Sequence, residues 1–508
     1  MSGRDAANIV LIMADQFASD VVGALGHPIV RTPNIDRLVR SGVSFTNCYC
    51  NSPLCVPARA SLMTSRRAAD LDVFDNGSEL RSTVATFPHR LRVSGYVTAL
   101  AGKMHFIGPD QHHGFEDRLT PDFHTPEPLL TPDWRKGSYA NVGTGVRRLL
   151  TPGECRWNRQ MEYDERVLEA SLEYLRVAAS DSLRRSPFFL CASFTQPHDP
   201  FVAPEPFWGR YRNAEVPMPA TPPVPFKRMH PFNQWIQIHH ELDTTCLSAD
   251  IVRDNRRAYY AMVSYIDDAV GRIVGELERM GLRDETLVVF TSDHGEMLGE
   301  HGMWFKRTFF DPAMKVPLVV SLPGRCAQGV TRDEVISLVD LGPTLVHLAH
   351  HRTDTAPEPD GWISTIDGAS FHPMLDPEWA TGRSRMPDGT RWKDEVLFEY
   401  CGEGPIEPMV GIRRGEYKYV RVHGHRPVLF DLRNDPHERT SLAGSPEHAK
   451  AAAALNARLA AVYDTAALRN RVRASQADRL VLLETPAPGR RGNPFDLRWV
   501  DRGGTPRV

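Results

Sequence analysis

Four short β-branched runs constrain this chain more than any other feature of it. Asn8–Ala14 runs into Asp15-Gln16, Tyr96–Ala101 into Gly102-Lys103, Phe188–Phe194 into Thr195–Pro200, and Leu287–Thr291 into Ser292–Gly295. Each is continuously apolar, as a strand buried on both faces requires. Between them lie amphipathic helical patterns. In Ala258–Met280 the residues Val263, Ile266, Val270, Ile273, Val274 and Leu277 recur every three or four positions. Such an alternation predicts an α/β fold with a large, mostly parallel central sheet and helices on both faces. In these sheets ligands gather beyond the carboxyl ends of the strands, where the four polar clusters fall. One polar cluster after a strand is an ordinary wet loop; four with complementary chemistry argue for a site.

The pattern changes late in the 508 residues. His350–Trp362 (HHRTDTAPEPDGW) is rich in proline and charge and reads as a linker or surface excursion. Strand-like pieces at Val396–Tyr400, Met409–Ile412, Tyr417–Val422 and Val428–Leu432, then an Ala-rich helix at Pro446–Tyr463, predict a smaller α+β domain with an antiparallel sheet. The large domain is therefore placed at residues 1–375, the small one at 376–470 and an extended tail at 471–508. The end of that tail, Glu484–Val508, is rich in Pro, Gly and Arg and is either disordered or held against another surface.

Sixty Lys plus Arg against 63 Asp plus Glu leave a net charge of −3, which removes the electrostatic case for nucleic-acid or anionic-membrane binding. The first apolar run is stopped by Asp15 and reads as a strand rather than a signal peptide. No apolar stretch is long enough to span a bilayer. The 8 cysteines are scattered without a C-x-x-C pair. With no secretory signal they read as reduced thiols, which predicts a cytoplasmic location.

Cys55-Val56-Pro57-Ala58-Arg59 places a thiol and a guanidinium about one turn apart in a segment of helical propensity. Taken alone, such a Cys is usually a small buried hydrophobe. With Asn8–Gln16 (NIVLIMADQ), Pro33-Asn34-Ile35-Asp36, Gly102–His105 (GKMH) and Ser292–Gly295 (SDHG), however, the chain resembles the sulfatases of the alkaline phosphatase superfamily over most of residues 8–325. Longer strings are similar to the choline-sulfatase subgroup: Gly102–Arg118 (GKMHFIGPDQHHGFEDR), Gln160–Asp164 (QMEYD), Ser193–Phe201 (SFTQPHDPF), Tyr265–Asp268 (YIDD) and Ser292–Lys306 (SDHGEMLGEHGMWFK).

Two carboxylates following different strands, with an imidazole and an amide oxygen, suit a hard divalent cation; an Asp after a strand also serves as an N-cap or turn former. The resemblance implies that Asp15, Gln16, Asp293, His294 and the matured Cys55 hold the metal. Gln16 stands where many relatives have a second Asp, and His294 where many have Asn, so the site is less negative. Calcium is favoured, with magnesium or manganese open. The resemblance further implies that Cys55 is oxidised to formylglycine by a separate generating enzyme and that its hydrate is the nucleophile. Arg59, Lys103 and Lys306 become cationic clamps on the sulfuryl oxygens, and Asn76 a hydrogen-bond donor to sulfate. His198 becomes the acid for the departing alcohol, and His105 the base for the step that frees sulfate.

The expected reaction is hydrolysis of a small alkyl sulfate ester, choline-O-sulfate first. Trimethylammonium recognition calls for aromatic faces and a carboxylate. Trp134, Glu399, Tyr400 and Glu403 are the candidates, while Leu130 stands where the subgroup tends to have an aromatic residue. An aryl sulfatase, a phosphonate or phosphate ester hydrolase, and a non-catalytic protein that captures sulfated ligands are the rivals. A tail that caps a neighbour's site implies a homo-oligomer.

Overall fold

Strand β1 (Asn8–Ala14) is buried along both faces: Ile9, Leu11 and Met13 enter one apolar cluster, and Val10, Ile12 and Ala14 enter another. Each fully buried aliphatic side chain contributes about 1.5–3 kcal/mol, so this strand anchors two cores at once. The computed structural model describes residues 7–138, 142–180, 186–350, 365–379, 385–386 and 389–484.

The central sheet holds β1, β2 (Val43–Tyr49), β3 (Val97–Gly102), β4 (Asp117–Arg118), β6 (Phe188–Ser193), β8 (Thr286–Ser292), β9 (Lys315–Ser321), β10 (Val330–Arg332) and β11 (Ile336–Ser337). Its order is β10-β2-β9-β8-β1-β6-β3-β4, with β11 also on β2. All pairings are parallel except those of β9, which runs antiparallel to β2 and β8. A separate two-stranded sheet pairs β5 (Gly153–Cys155) with β7 (Val202–Pro204).

Helix Ala249–Arg279 lies on the Val10–Ile12 face. It begins earlier than its apolar periodicity predicted, because Ser248 caps a charged first turn by accepting from the Ile251 N–H. Leu62 and Met63 of helix Cys55–Thr64 join the opposite cluster.

The small domain is an antiparallel sheet of β12 (Glu395–Tyr400), β13 (Met409–Arg414), β14 (Tyr417–Val422) and β15 (Val428–Asp431). Leu455 and Leu459 of helix Ala449–Ala460 pack on its Val410, Ile412 and Leu429. The extended tail predicted from residue 471 is corrected as far as 484. Thr465–Glu484 is one helix, and its Leu468 and Val472, four residues apart on one face, enter the same core. Residues 485–508 lie outside the described residues, as does the predicted linker beyond His350. All 8 cysteines are free. No described helix is long and apolar enough to cross a membrane.

Candidate active site

Register alone assembles the site. Ala14 pairs with Ser292, Met13 with Ser193, and Gly102 with Ser193. The residues that follow therefore leave one sheet edge side by side: Asp15 from β1, Asp293 and His294 from β8, Thr195–His198 from β6, and Lys103 from β3. This is the carboxyl end of adjacent parallel strands.

Cys55 opens helix Cys55–Thr64 after an extended Leu54, and is buried above that edge. Its Sγ lies 3.4 Å from His294 Nε2, 3.7 Å from Lys103 Nζ and 3.9 Å from Asp15 Oδ1. Burial alone would raise the thiol, but Lys103, Lys306 and His294 outweigh it and hold the group well below the usual thiol range. Arg59, one turn further along, donates from Nε to Asp293 Oδ2 at 2.8 Å, from Nη2 to Asp15 Oδ2 at 3.0 Å and from Nη1 to Ser193 Oγ at 2.9 Å. It ties three strands to the nucleophile helix. Lys103 also pairs with Asp15. Burial and Cys55 push the Asp15 carboxyl up, yet Lys103, His198 and Arg59 win and keep it ionised.

Asp15, Cys55, Asp293 and His294 form a buried group whose ligand atoms all lie within 4.8 Å of one another. His294 Nδ1 sits 3.1 Å from the Gly295 carbonyl, which only accepts, so Nδ1 carries a proton and Nε2 is the ring atom that faces Cys55. This donor set fits a divalent cation. With oxygen in place of sulfur at residue 55 it becomes harder still, as calcium, magnesium or manganese prefers.

Gln16 lies beside the cluster with its amide engaged elsewhere. Oε1 accepts from Lys306 Nζ at 2.5 Å, while Nε2 donates to Glu296 at 2.5 Å and Asp199 at 3.3 Å. Only its backbone N–H reaches Asp293, at 3.1 Å. A ligand role for Gln16 therefore requires Lys306 to release it. Lys306 Nζ is also 2.6 Å from His198 Nε2, and His198 Nδ1 is 2.9 Å from the Asp199 carbonyl. His105 is buried, with a left-handed backbone (φ 58°) secured by its N–H to Asp122 at 2.7 Å, and its ring stacks on His124 at 3.8 Å. Burial, against an opposing contact with Cys55 and helped by Lys103, pushes this imidazole below its ordinary range and favours its neutral form.

Asn76 accepts from the Val56 N–H through Oδ1 at 3.1 Å, satisfying a donor at the start of the Cys55 helix, and donates through Nδ2 to Glu403 at 3.3 Å. Glu403 pairs in turn with Arg307 at 3.0 Å, and the Tyr400 hydroxyl donates to its carbonyl at 2.8 Å. Glu399 is drawn into structure instead: its two oxygens accept from the Ala69 N–H and the Tyr463 hydroxyl. Trp134 is buried in the small domain's core, its indole N–H donating to the Gly402 carbonyl at 3.0 Å. Leu130 is half-buried at the Pro128–Thr131 turn. Sequence reasoning passed over Asp199, Glu296, His124 and Arg307. Asp199 and Glu296 stand inside the quoted strings, and Arg307 directly follows one.

A buried thiol ringed by lysines, a metal-ready carboxylate pair and flanking imidazoles, on this sheet, define a hydrolase of anionic esters with the alkaline phosphatase-like architecture. The chain belongs to the sulfatase family. The family pattern described as Sulfatase matches residues 7–351, and that described as N-sulphoglucosamine sulphohydrolase, C-terminal, matches 299–465. The chain is 38% identical to a choline-sulfatase of Rhizobium meliloti (strain 1021), over 94% of this chain and 91% of that one. It is 26% identical to an arylsulfatase of Clostridium perfringens (strain 13 / Type A), over 87% and 91%. Among solved structures, the phosphonate monoester hydrolase of Agrobacterium radiobacter superposes with a TM-score of 0.68 at 26% identity, over 92% of this chain and 96% of that one. The protein is a sulfatase enzyme.

Proposed function

We propose that this sulfatase hydrolyses a small alkyl sulfate ester to alcohol and sulfate, with residue 55 converted to formylglycine. The observation that carries the reading is the setting of Cys55 at a helix N-terminus, 3.4 Å from His294 and 3.7 Å from Lys103, with Arg59 binding the carboxylates beneath it. A hydrated aldehyde at residue 55 supplies an oxygen nucleophile for sulfur, and a divalent cation held with Asp15, Asp293 and His294 supplies Lewis acidity at the sulfuryl oxygens.

The chain's own groups do the rest. Lys103 and Lys306 neutralise the oxygens that gain charge in the transition state. Arg59 fixes Asp15 and Asp293 so that neither turns away from the cluster. Once Lys306 turns from His198 Nε2 to the sulfuryl oxygens, a protonated His198, held on Nδ1 by the Asp199 carbonyl, delivers its Nε2 proton to the departing alcohol oxygen. His105, neutral and stacked on His124, takes up the proton in the step that frees sulfate.

The name of the Rhizobium meliloti relative puts choline-O-sulfate first among substrates to assay. Hydrolysis of a phosphonate monoester is the second reading, supported by the Agrobacterium radiobacter structure and by a cation-rich site that suits either anion. The first test is the mass of the tryptic peptide ending at Arg59, from chain made beside a formylglycine-generating enzyme. The aldehyde form is about 18 Da lighter than the thiol, and aldehyde capture separates its hydrate from the thiol. Conversion accompanied by turnover of choline-O-sulfate and 4-nitrophenyl sulfate over an aryl phosphonate supports the proposal. A persistent thiol, or preference for the phosphonate, overturns it.

A further inference from the structure

Arg307 follows Lys306 with a left-handed backbone (φ 77°), and its N–H donates to the Pro53 carbonyl at 3.2 Å, two residues before Cys55. Its side chain is buried, 3% exposed, and pairs through Nη2 with Glu403, itself 1% exposed. That pair is incomplete on both sides. Arg307 Nε and Nη1 meet no acceptor among the described residues, and Glu403 Oε2 meets no donor. A buried guanidinium and carboxylate frequently engage two by two, and buried N–H groups are rarely left orphaned. Asn76 joins the pair to the nucleophile: its Nδ2 reaches Glu403 Oε1, the oxygen that Arg307 also holds, and its Oδ1 takes the Val56 N–H.

We infer that Arg307 and Glu403 recognise the leaving alcohol, and that this alcohol carries both a carboxylate and a protonated amine, as in the O-sulfate of a small hydroxy amino acid. The inference rests on the sulfate-ester reading above and names its substrate class. The unmet atoms are complementary to such a ligand: the carboxylate accepts from Arg307 Nε and Nη1, and the amine N–H groups donate to Glu403 Oε2. A trimethylammonium alcohol offers neither an acceptor nor an N–H, so it leaves those atoms unmet and sets a cation beside the guanidinium. The adjoining imidazoles add no positive charge of their own that would repel the amine. Burial, reinforced by Arg307 itself, pushes His239 down to about 3, and His240 also falls well below its ordinary range.

The test measures kcat/KM of the matured full-length chain on L-serine O-sulfate, ethanolamine O-sulfate, glycolate O-sulfate and choline O-sulfate, with 4-nitrophenyl sulfate reporting the sulfatase chemistry itself. L-Serine O-sulfate should exceed each of the others by about 100-fold or more, because a site built for two polar partners rejects analogues lacking one. In Arg307→Met its advantage over ethanolamine O-sulfate should collapse, and in Glu403→Gln its advantage over glycolate O-sulfate should shrink. The wild-type ranking stands by itself if either variant fails to fold. Turnover of 4-nitrophenyl sulfate with no preference for L-serine O-sulfate, or with choline O-sulfate ahead, overturns the inference, and buried water then fills the pair. Matured chain that hydrolyses none of the sulfates overturns the proposed function and this inference with it.

Discussion

Arg479 donates from both terminal nitrogens to Asp75, Nη1 to Oδ1 at 2.5 Å and Nη2 to Oδ2 at 2.7 Å, so the last described helix holds the loop that carries Asn76. Asp75 is fully buried and also receives the Gly77 N–H at 2.9 Å, and Arg479 reaches Thr131 Oγ1 at 2.9 Å. Arg479→Ala strands a buried carboxylate and should lower stability by about 3 kcal/mol. It should also lower kcat/KM by about tenfold, because a loose Asn76 misplaces the start of the Cys55 helix. Urea unfolding and steady-state kinetics check both, and an unchanged unfolding midpoint would show that the pair is not holding the loop.

Cys55→Ala removes the nucleophile with little change of volume at the head of a helix otherwise retained by Leu62 and Met63 in the core. Turnover should fall by at least about 1,000-fold, with an unaltered far-ultraviolet circular dichroism spectrum. Near-normal activity in that variant would sink the proposed nucleophile.

Stripping divalent cations with a chelator should abolish activity and lower the melting temperature, since a ligand bound only to the folded state stabilises it, by about 2.7 kcal/mol at 100 times Kd. Adding back calcium, magnesium or manganese separately should restore both, and the ion effective at the lowest concentration identifies the metal. Identical melting curves before and after chelation would argue against the Asp15–Cys55–Asp293–His294 group as a metal site.

Burial pushes the Glu399 carboxyl up to about 7, against smaller lowering contributions from Tyr463 and the Ala69 N–H. The folded state thus keeps a proton that the unfolded chain has released, and stability from this group declines as pH rises from about 4.5 to 7. Glu399→Gln should match the parent at pH 5 and exceed it at pH 8 by on the order of 1–3 kcal/mol, with kcat/KM within about twofold. Asp164, Glu296 and Glu438 are pushed up similarly and are common to both proteins, so the difference isolates residue 399. Parallel pH profiles of stability would refute the assignment, and a large kinetic defect would return Glu399 to the substrate pocket.

Much of the architecture was legible because its causes are local. A short apolar run such as Asn8–Ala14, stopped at once by polar residues, fits a strand covered on both faces, and the pattern over Ala258–Met280 showed a buried helical stripe in spacing alone. Asp15, Asp293 and His294 were legible for a related reason: each follows a buried strand within two residues, and parallel strands deliver their ends to one edge, whereas Lys103 and His198 were named from the resemblance. The amino-acid sequence by itself therefore determined the fold class and which polar residues the sheet delivers to one edge. Only the tertiary structure decided partnership. It gave Gln16's amide to Lys306, Trp134 to the Gly402 carbonyl, Glu399 to Ala69 and Tyr463, and left Arg307 and Glu403 half-paired beside Asn76. These pairs join positions from 64 residues apart, Glu399 and Tyr463, to 330 apart, Glu399 and Ala69. A hydrogen bond depends on distances of a few tenths of an ångström, and no periodicity along the chain encodes such distances.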